Sequence, residues 1–436
     1  MPDSPTPAPR SPASPTVARG PVRPGERALA PDLARGAMLL LIVLSNTGFH
    51  LWAARHGASG WQPVDGSAVD RAVQFAMIAT LDLRTYPLFA FLFGYGMMRL
   101  HQRQTEAGAS PRAGVALLRR RSLWLVAFGS VHAFLLMAGD ITGCYGVASL
   151  LLGWLFVRRG DRVLLLAAGG ALALLFLTST LPALVEVLAG ELGRSGDAPS
   201  EPTTEVYASG EPDRLAAAGT RMATWAFVTL GGGLLGFGGH AMMLLGCWAA
   251  RRRVLERPSA HLPLLRRTAV AGVAVGWSGG LPSALGHVGA WHVPADAMAE
   301  GGALPALHEA TGLGAGLGYV ALFALFAHRV AVRAEHARAA GAGAAGGPGR
   351  VVRAVAALGK RSLSGYLAHS LLFAPVLAAW GLGLGRHLSS ATMAAYACGV
   401  WLVTVVAADA CERAGLPGPA ETVLRRLVYR RSARGG

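Results

Sequence analysis

Residues 32–52 read Asp-Leu-Ala-Arg-Gly-Ala-Met-Leu-Leu-Leu-Ile-Val-Leu-Ser-Asn-Thr-Gly-Phe-His-Leu-Trp. An apolar run from Ala37 to Leu44 separates Arg35 from Asn46, eleven residues later. At ~100° per residue that interval comes within ~20° of three full turns, so the two polar groups share one helix face. They stand about 16 Å apart along the axis, roughly half the hydrocarbon core of a bilayer. Asp32, three residues before Arg35, and His50, four after Asn46, fall on or near the same stripe. Polar groups at membrane depth face a protein interior or a water-filled cavity, because lipid cannot satisfy them. The stripe predicts a route across a membrane or a site within one.

The composition points the same way. Hydrophobic residues make up 53% of the 436 and charged residues 15%, a balance that suits a helical protein crossing the membrane many times rather than a soluble domain. The net charge of +16 would suit a nucleic-acid partner if the arginines formed a patch. They cluster between apolar runs instead, as topology signals do, and nucleic acid is excluded on that ground. Cys144, Cys247, Cys398 and Cys411 form no CxxC pair and lie in or beside apolar segments. They read as buried thiols, with neither a disulfide framework nor a metal site.

Ten apolar stretches are long enough to span: about 34–54, 72–98, 122–138, 141–157, 163–188, 221–249, 268–290, 312–330, 362–382 and 391–410. With the N-terminus inside, the cytoplasmic segments hold 32 of the forty Lys and Arg residues and the outer loops six, with Arg35 and Arg84 inside spans. The acidic loop 189–220 falls outside. The expected fold is all-α, a polytopic bundle of about ten transmembrane helices in the plasma membrane with both termini cytoplasmic. Residues 1–26, rich in Pro, Ser and Ala, read as a disordered tail, 27–336 as the core bundle and Ala/Gly-rich 337–353 as a linker. Residues 354–436 form a two-span unit with a basic tail. Asp82, Arg84 and Pro87 predict a break in the second span, and Gly139-Asp140 predicts a tight outer turn between the third and fourth.

Several polar residues are candidates for chemistry, each with a plainer reading beside it. His56, in the stretch Arg55–Trp61 just beyond the first helix, titrates near neutrality and can take a proton from an alcohol or amine. Alternatively His56 and Trp61 only anchor the helix end. Asp82 and Arg84, two residues apart, face away from each other on a regular helix and need separate partners. His132, Asp140 and Tyr145 carry polar groups towards the outer leaflet and could line one cavity with His56, or Asp140 could simply cap a helix. The glycine-rich run 231–239 before His240 has no following Lys-Ser/Thr, so it reads as close helix packing rather than a phosphate loop.

These residues carry a family resemblance. Arg27–Asn46 (with Asp-x-x-Arg-Gly), Tyr86–Gly96 (Tyr-Pro-Leu-Phe-Ala-Phe-Leu-Phe-Gly-Tyr-Gly) and Gly139-Asp140-Ile141 with Tyr145 resemble the YeiB-like bacterial membrane proteins. So do His240–Gly246, Gly359–Ser370 and Gly418–Tyr429, in the family's order over nearly the whole chain. That family carries a C-terminal domain of unknown function, the 418 domain. Its first helices are similar to a wider clan of transmembrane acyltransferases that includes heparan-α-glucosaminide N-acetyltransferase. In the latter, Asp-x-x-Arg-Gly leads to an Asn at the offset of Asn46 and then to a catalytic His beside Ala-Ser-Trp. Here His56 sits one residue nearer. In the acyltransferase-3 branch of the clan a His stands at the place of Asn46.

The resemblance implies transfer of an acyl group from cytoplasmic acyl-CoA to an extracytoplasmic glycan or lipid. On that reading His56 is the general base and Asn46 an oxyanion donor, while Arg35 meets the donor's phosphates. Asp32, Asp82, Arg84, His132, Asp140 and Tyr145 would line the substrate path. No tightly bound cofactor or metal is expected; acyl-CoA enters as a co-substrate, membrane lipids surround the bundle, and self-association stays open. Two alternatives use the same stripe: a transporter pathway, or a scaffold whose polar groups fix helix packing.

Overall fold

The computed structural model describes residues 28–57, 61–190, 203–299, 301–340 and 347–429. The 1–26 tail and residues 341–346 of the linker lie outside them. Among the described residues every regular element is a helix, and the β-type pairing is an isolated bridge between His56 and Pro63.

Helix α1 (Leu29–Ser45) ends at Asn46, and the chain tightens into a 3-10 turn at Thr47–His50. The first helix therefore ends before the apolar stretch 34–54 does, where Gly48 tucks under the loop that follows and a Cβ would overlap the Trp61 carbonyl. Helix α2 (Ala68–Thr80) opens with a capping box between Ser67 and Asp70. The predicted break follows: Leu83 takes a left-handed φ of 58° before α3 (Thr85–Glu106) begins. Helix α4 (Pro111–Leu135) starts behind a Ser110 cap, and Asp140 caps α5 (Ile141–Phe156) across the tight turn. Helix α6 (Asp161–Leu175) passes through a π-turn at Phe176–Thr180 into α7 (Leu181–Ala189). Pro182, which lacks the N–H that α-helical bonding needs, accounts for that turn.

Helices α8 (Arg214–Leu235) and α9 (Phe237–Arg251) meet at Gly236 with a bend of 58°. The sequence reads this region as one span. The glycine run lets it kink, and His240 Nε2 donates to the Gly233 carbonyl at 3.0 Å, which the kink leaves open. Helix α10 (Leu262–His287), the one-turn α11 (Ala295–Met298) and the long α12 (Ala303–Ala339) follow. Small residues, Gly272 and Gly276 against Gly314 and Ala315, let α10 and α12 approach closely.

The chain ends with α13 (Arg350–Lys360), α14 (Ser362–Leu377), α15 (Ser390–Arg413) and α16 (Pro419–Tyr429). Helix α13 lies directly on α1: a Cβ at Gly359 would overlap the Asp32 carbonyl, and one at Gly36 the Val355 carbonyl.

Each of the ten apolar stretches falls on helical structure. Four segments are long and apolar enough to cross a membrane (68–106, 161–189, 295–339 and 390–413), and the bent α8–α9 pair makes a fifth. Helices α5 and α14, with 16 residues each, reach only about 24 Å against a hydrocarbon core of roughly 30 Å. Leu166, Leu188, Phe227, Val270 and Leu371 stand exposed on the outside of the bundle. Such a surface suits lipid, and the chain has the build of a membrane protein.

Candidate active site

The last turns of α4 carry His132, and the turn to α5 folds Asp140 back onto it. His132 Nδ1 lies 2.7 Å from Asp140 Oδ2, with the two residues 3% and 0% exposed. The aspartate serves two purposes. Its Oδ1 accepts from the Gly143 N–H and the Thr142 hydroxyl, both at 2.9 Å, which caps α5. Its Oδ2 faces His132 and the Tyr366 hydroxyl of α14, the latter at 3.4 Å. A Cβ at Gly129 would overlap this carboxylate, so the glycine makes the approach possible. Arg221 of α8 fixes the end of α4 by donating to the Ala133 and Phe134 carbonyls at 3.0 and 2.8 Å.

A carboxylate on Nδ1 holds the proton there and leaves Nε2 as the basic lone pair. His132 Nε2 is buried without a hydrogen-bond partner among the described residues. Unpaired buried polar atoms are rare, because each costs free energy, and one beside an orienting carboxylate has the geometry of a general base.

Three turns back along the same face of α4, Arg121 lies 5.1 Å from the centre of the Phe93 ring. It interacts electrostatically with Arg35 of α1 and Tyr429 of α16. Arg35 pairs with Asp32 at 3.6 Å. Arg103 and Arg425 also act on Tyr429, whose phenol burial raises above its ordinary range. An aromatic column joins the two ends. Phe93 stacks on Tyr145 with ring centres 5.4 Å apart, Phe89 lies 4.8 Å from the same ring, and Tyr145 donates to the Tyr86 carbonyl at 3.0 Å. Tyr366 is the next neighbour of both Tyr145 and Asp140. Asp32 thus pairs with Arg35 near one end of this column, while His132 and Asp140 meet Tyr366 at the other.

The other expected residues lie elsewhere. Asp82 and Arg84 sit at the break between α2 and α3. The Asp82 carboxylate accepts from Ser45 and Gln62, both at 3.1 Å, and its backbone carbonyl accepts from Arg84 and His308 at 2.6 and 2.9 Å. Arg84, fully buried, also donates to the Gly276 carbonyl at 2.6 Å. These contacts tie together α1, the loop between α1 and α2, α10 and α12, so the separate partners that the spacing called for are present. Asn46 is the half-buried residue that ends α1.

His56 is buried in the loop between α1 and α2. Burial lowers its pKa below 6.5, while the backbone and Asp65 act in the other direction. Neither ring nitrogen makes a hydrogen bond among the described residues. Its neighbour Pro63 accepts from His287 Nε2 at 2.8 Å. Between this loop and the Asp140 turn sits an aromatic cap. Tyr207 stacks on Phe49 at 3.9 Å, meets Trp61 edge-on at 5.7 Å and lies over Gly139.

Arg121, Arg221, Tyr207 and Tyr366 are residues that sequence reasoning passed over. Tyr366 had a signal, standing inside the motif Gly359–Ser370. Arg121 had one too, eleven residues before His132. Among the described residues no three His, Cys, Asp or Glu side chains converge as a metal site.

Comparison with known proteins adds a family. Residues 249–431 match the family described as protein of unknown function (DUF418). The chain carries a DUF418 domain. Its match begins at the end of α9 and takes in α10 to α16, so Tyr366 belongs to the DUF418 domain while His132 and Asp140 precede it. The motif resemblance leads to the same family. The chain is also similar to the uncharacterized protein YxaH of Bacillus subtilis (strain 168), with 27% identity over 226 residues. That alignment covers 50% of this chain and 54% of YxaH, so the chain spans about half the length of this relative.

Proposed function

We propose that the chain is a multi-pass acyltransferase of the plasma membrane, with the His132–Asp140 pair as its base. Ten spans, with α2–α3, α6–α7 and α8–α9 each counted as one, bring both termini to the cytoplasm. The observation that carries the reading is the unpaired, buried His132 Nε2, oriented by a carboxylate 2.7 Å from the other ring nitrogen. The donor is an acyl-CoA whose phosphates meet Arg35 and Arg121 at the arginine-rich end. Its thioester arm extends along the aromatic column.

His132 Nε2 takes the proton of a hydroxyl or amine on an extracytoplasmic glycan or lipid. That oxygen or nitrogen bonds to the thioester carbonyl carbon, the carbon–sulfur bond breaks, and the proton returns to the leaving thiolate. His132 supports this role better than His56, because no carboxylate hydrogen-bonds the His56 ring among the described residues. Asn46 and His56 then belong to the outer mouth, where the acceptor enters beneath the Phe49–Tyr207 cap.

The test is turnover of radiolabelled acetyl-CoA by the purified full-length protein in lipid nanodiscs. Thioester loss in the parent protein and its collapse in His132→Gln are expected. No turnover with any acyl-CoA tried would overturn the transferase and favour a transporter.

A further inference from the structure

A second polar site lies apart from the His132 interior. The end of α3, the start of α4, the α5–α6 turn and the end of α9 surround a cavity of about 460 Å³. Its wall holds His101, Gln102, Arg158, Asp161, Arg251 and Arg252. Asp161 is shared by two arginines, with Arg251 Nε at 2.7 Å and Arg252 Nε at 2.8 Å. One carboxylate against three guanidiniums leaves the cavity positive. Arg158 forms no ion pair among the described residues.

Gln102 adds donors to the wall. Gln102 Oε1 accepts from Arg99 at 2.9 Å, so its amide N–H groups are what it can offer a ligand. His101 is 7% exposed and packs its Nδ1 against Gly114 of α4, so its ring closes the back of the cavity. Helix α6 begins at the cavity without a side-chain cap, which leaves its first N–H groups and the positive end of its dipole facing the same space. Met98 and Val157 supply an apolar wall. Donors in excess, positive charge and an apolar side are what a phosphate ester with a carbon chain requires.

We propose that this cavity binds a phosphate ester, held by Arg158, Arg251 and Arg252. The phosphate can arrive as the headgroup of an anionic phospholipid or on a soluble metabolite, and the chemistry of recognition is shared. Binding here does not depend on the transferase reading.

The test uses the full-length protein in neutral detergent and follows its melting temperature with three probes: short-chain phosphatidylglycerol, glycerol 3-phosphate, and a diacylglycerol of matching chain length that has no phosphate. A rise with either phosphate probe, and none with diacylglycerol, is the expected result. A rise with phosphatidylglycerol alone assigns a lipid, and a rise with both assigns the phosphate itself. Affinity should weaken roughly tenfold or more in the double variant Arg158→Gln/Arg252→Gln. Arg158 is exposed, so Arg158→Gln alone keeps the fold and decides the matter if the double variant does not fold. No response to either phosphate probe, an equal response to diacylglycerol, or unchanged affinity in the variants overturns the site.

Discussion

Arg121 and His132 stand on one face of α4, three turns and about 16 Å apart. Arg35 and Asn46 repeat that interval on α1, but α1 ends at Asn46, whereas α4 continues past His132. A cation at one end and an oriented imidazole at the other are thus held by a single rigid helix. Their separation is fixed by backbone hydrogen bonds rather than by loop packing. This is the arrangement that a donor with a charged head and a reactive tail would need, because head and tail must be placed together.

Asp140→Asn separates the two tasks of the aspartate. Asparagine caps a helix about as well as aspartate, so α5 should still form. Its amide removes the charge and can turn an N–H towards His132, which favours the wrong ring tautomer. Transfer should fall by roughly 10²–10⁴-fold with little change in melting temperature. Turnover and melting measured on one preparation decide this, and full turnover in the variant would remove the pair from the chemistry.

His56 should govern part of the pH dependence of stability. Burial lowers its pKa in the folded chain below 6.5, so the unfolded chain holds more protons on this ring as the pH falls past that value. The contribution of the neutral ring is complete above about pH 6.5 and is lost below it, until the folded ring also protonates. His56→Phe should flatten the decline in melting temperature between about pH 8 and pH 5. An identical decline in parent and variant would mean that His56 is not held neutral by burial.

Arg84→Lys should destabilise the bundle although the charge is kept. The guanidinium reaches the Asp82 and Gly276 carbonyls together, each at 2.6 Å, and a single ammonium on a shorter, non-planar group cannot copy that fork. Losing one of these hydrogen bonds from a charged donor costs about 1.5–3 kcal/mol. Unfolding of both proteins in the same detergent measures it. Equal stability would show that the clamp at the α2–α3 break is dispensable.

The hydrophobic runs made the helices legible, since their length and polarity depend on local sequence. Breaks at Asp82–Pro87 and at Gly139-Asp140 were legible for the same reason, because proline, glycine and capping residues act on the chain beside them. The bend at Gly236 was not, since a glycine run permits a kink without requiring one, and the partner that accommodates it is the His240 side chain. The early end of α1 accompanies a contact with Trp61, fifteen residues beyond Asn46. Within the candidate site, Arg35, Tyr145, His132 and Asp140 were visible as polar groups in apolar surroundings. The meeting of His132 and Asp140 with Tyr366 was not, because Asp140 and Tyr366 are 226 positions apart and no periodicity links them.

Topology gives the broadest test. On the ten-span reading the arginine-rich turns and the acidic loop fall on opposite sides of the membrane, because orientation follows the positive residues. Single cysteines at Pro212 and Ser259, both exposed positions, are introduced into a protein from which the four native cysteines have been removed. A membrane-impermeant maleimide on intact cells should label Pro212→Cys and spare Ser259→Cys until the membrane is opened. The two sites flank the bent α8–α9 pair, so opposite labelling also means that α8 and α9 together cross once. Labelling of both sites from outside would instead make that pair a re-entrant hairpin. It would shift every later helix by one crossing and place the two termini on opposite sides of the membrane.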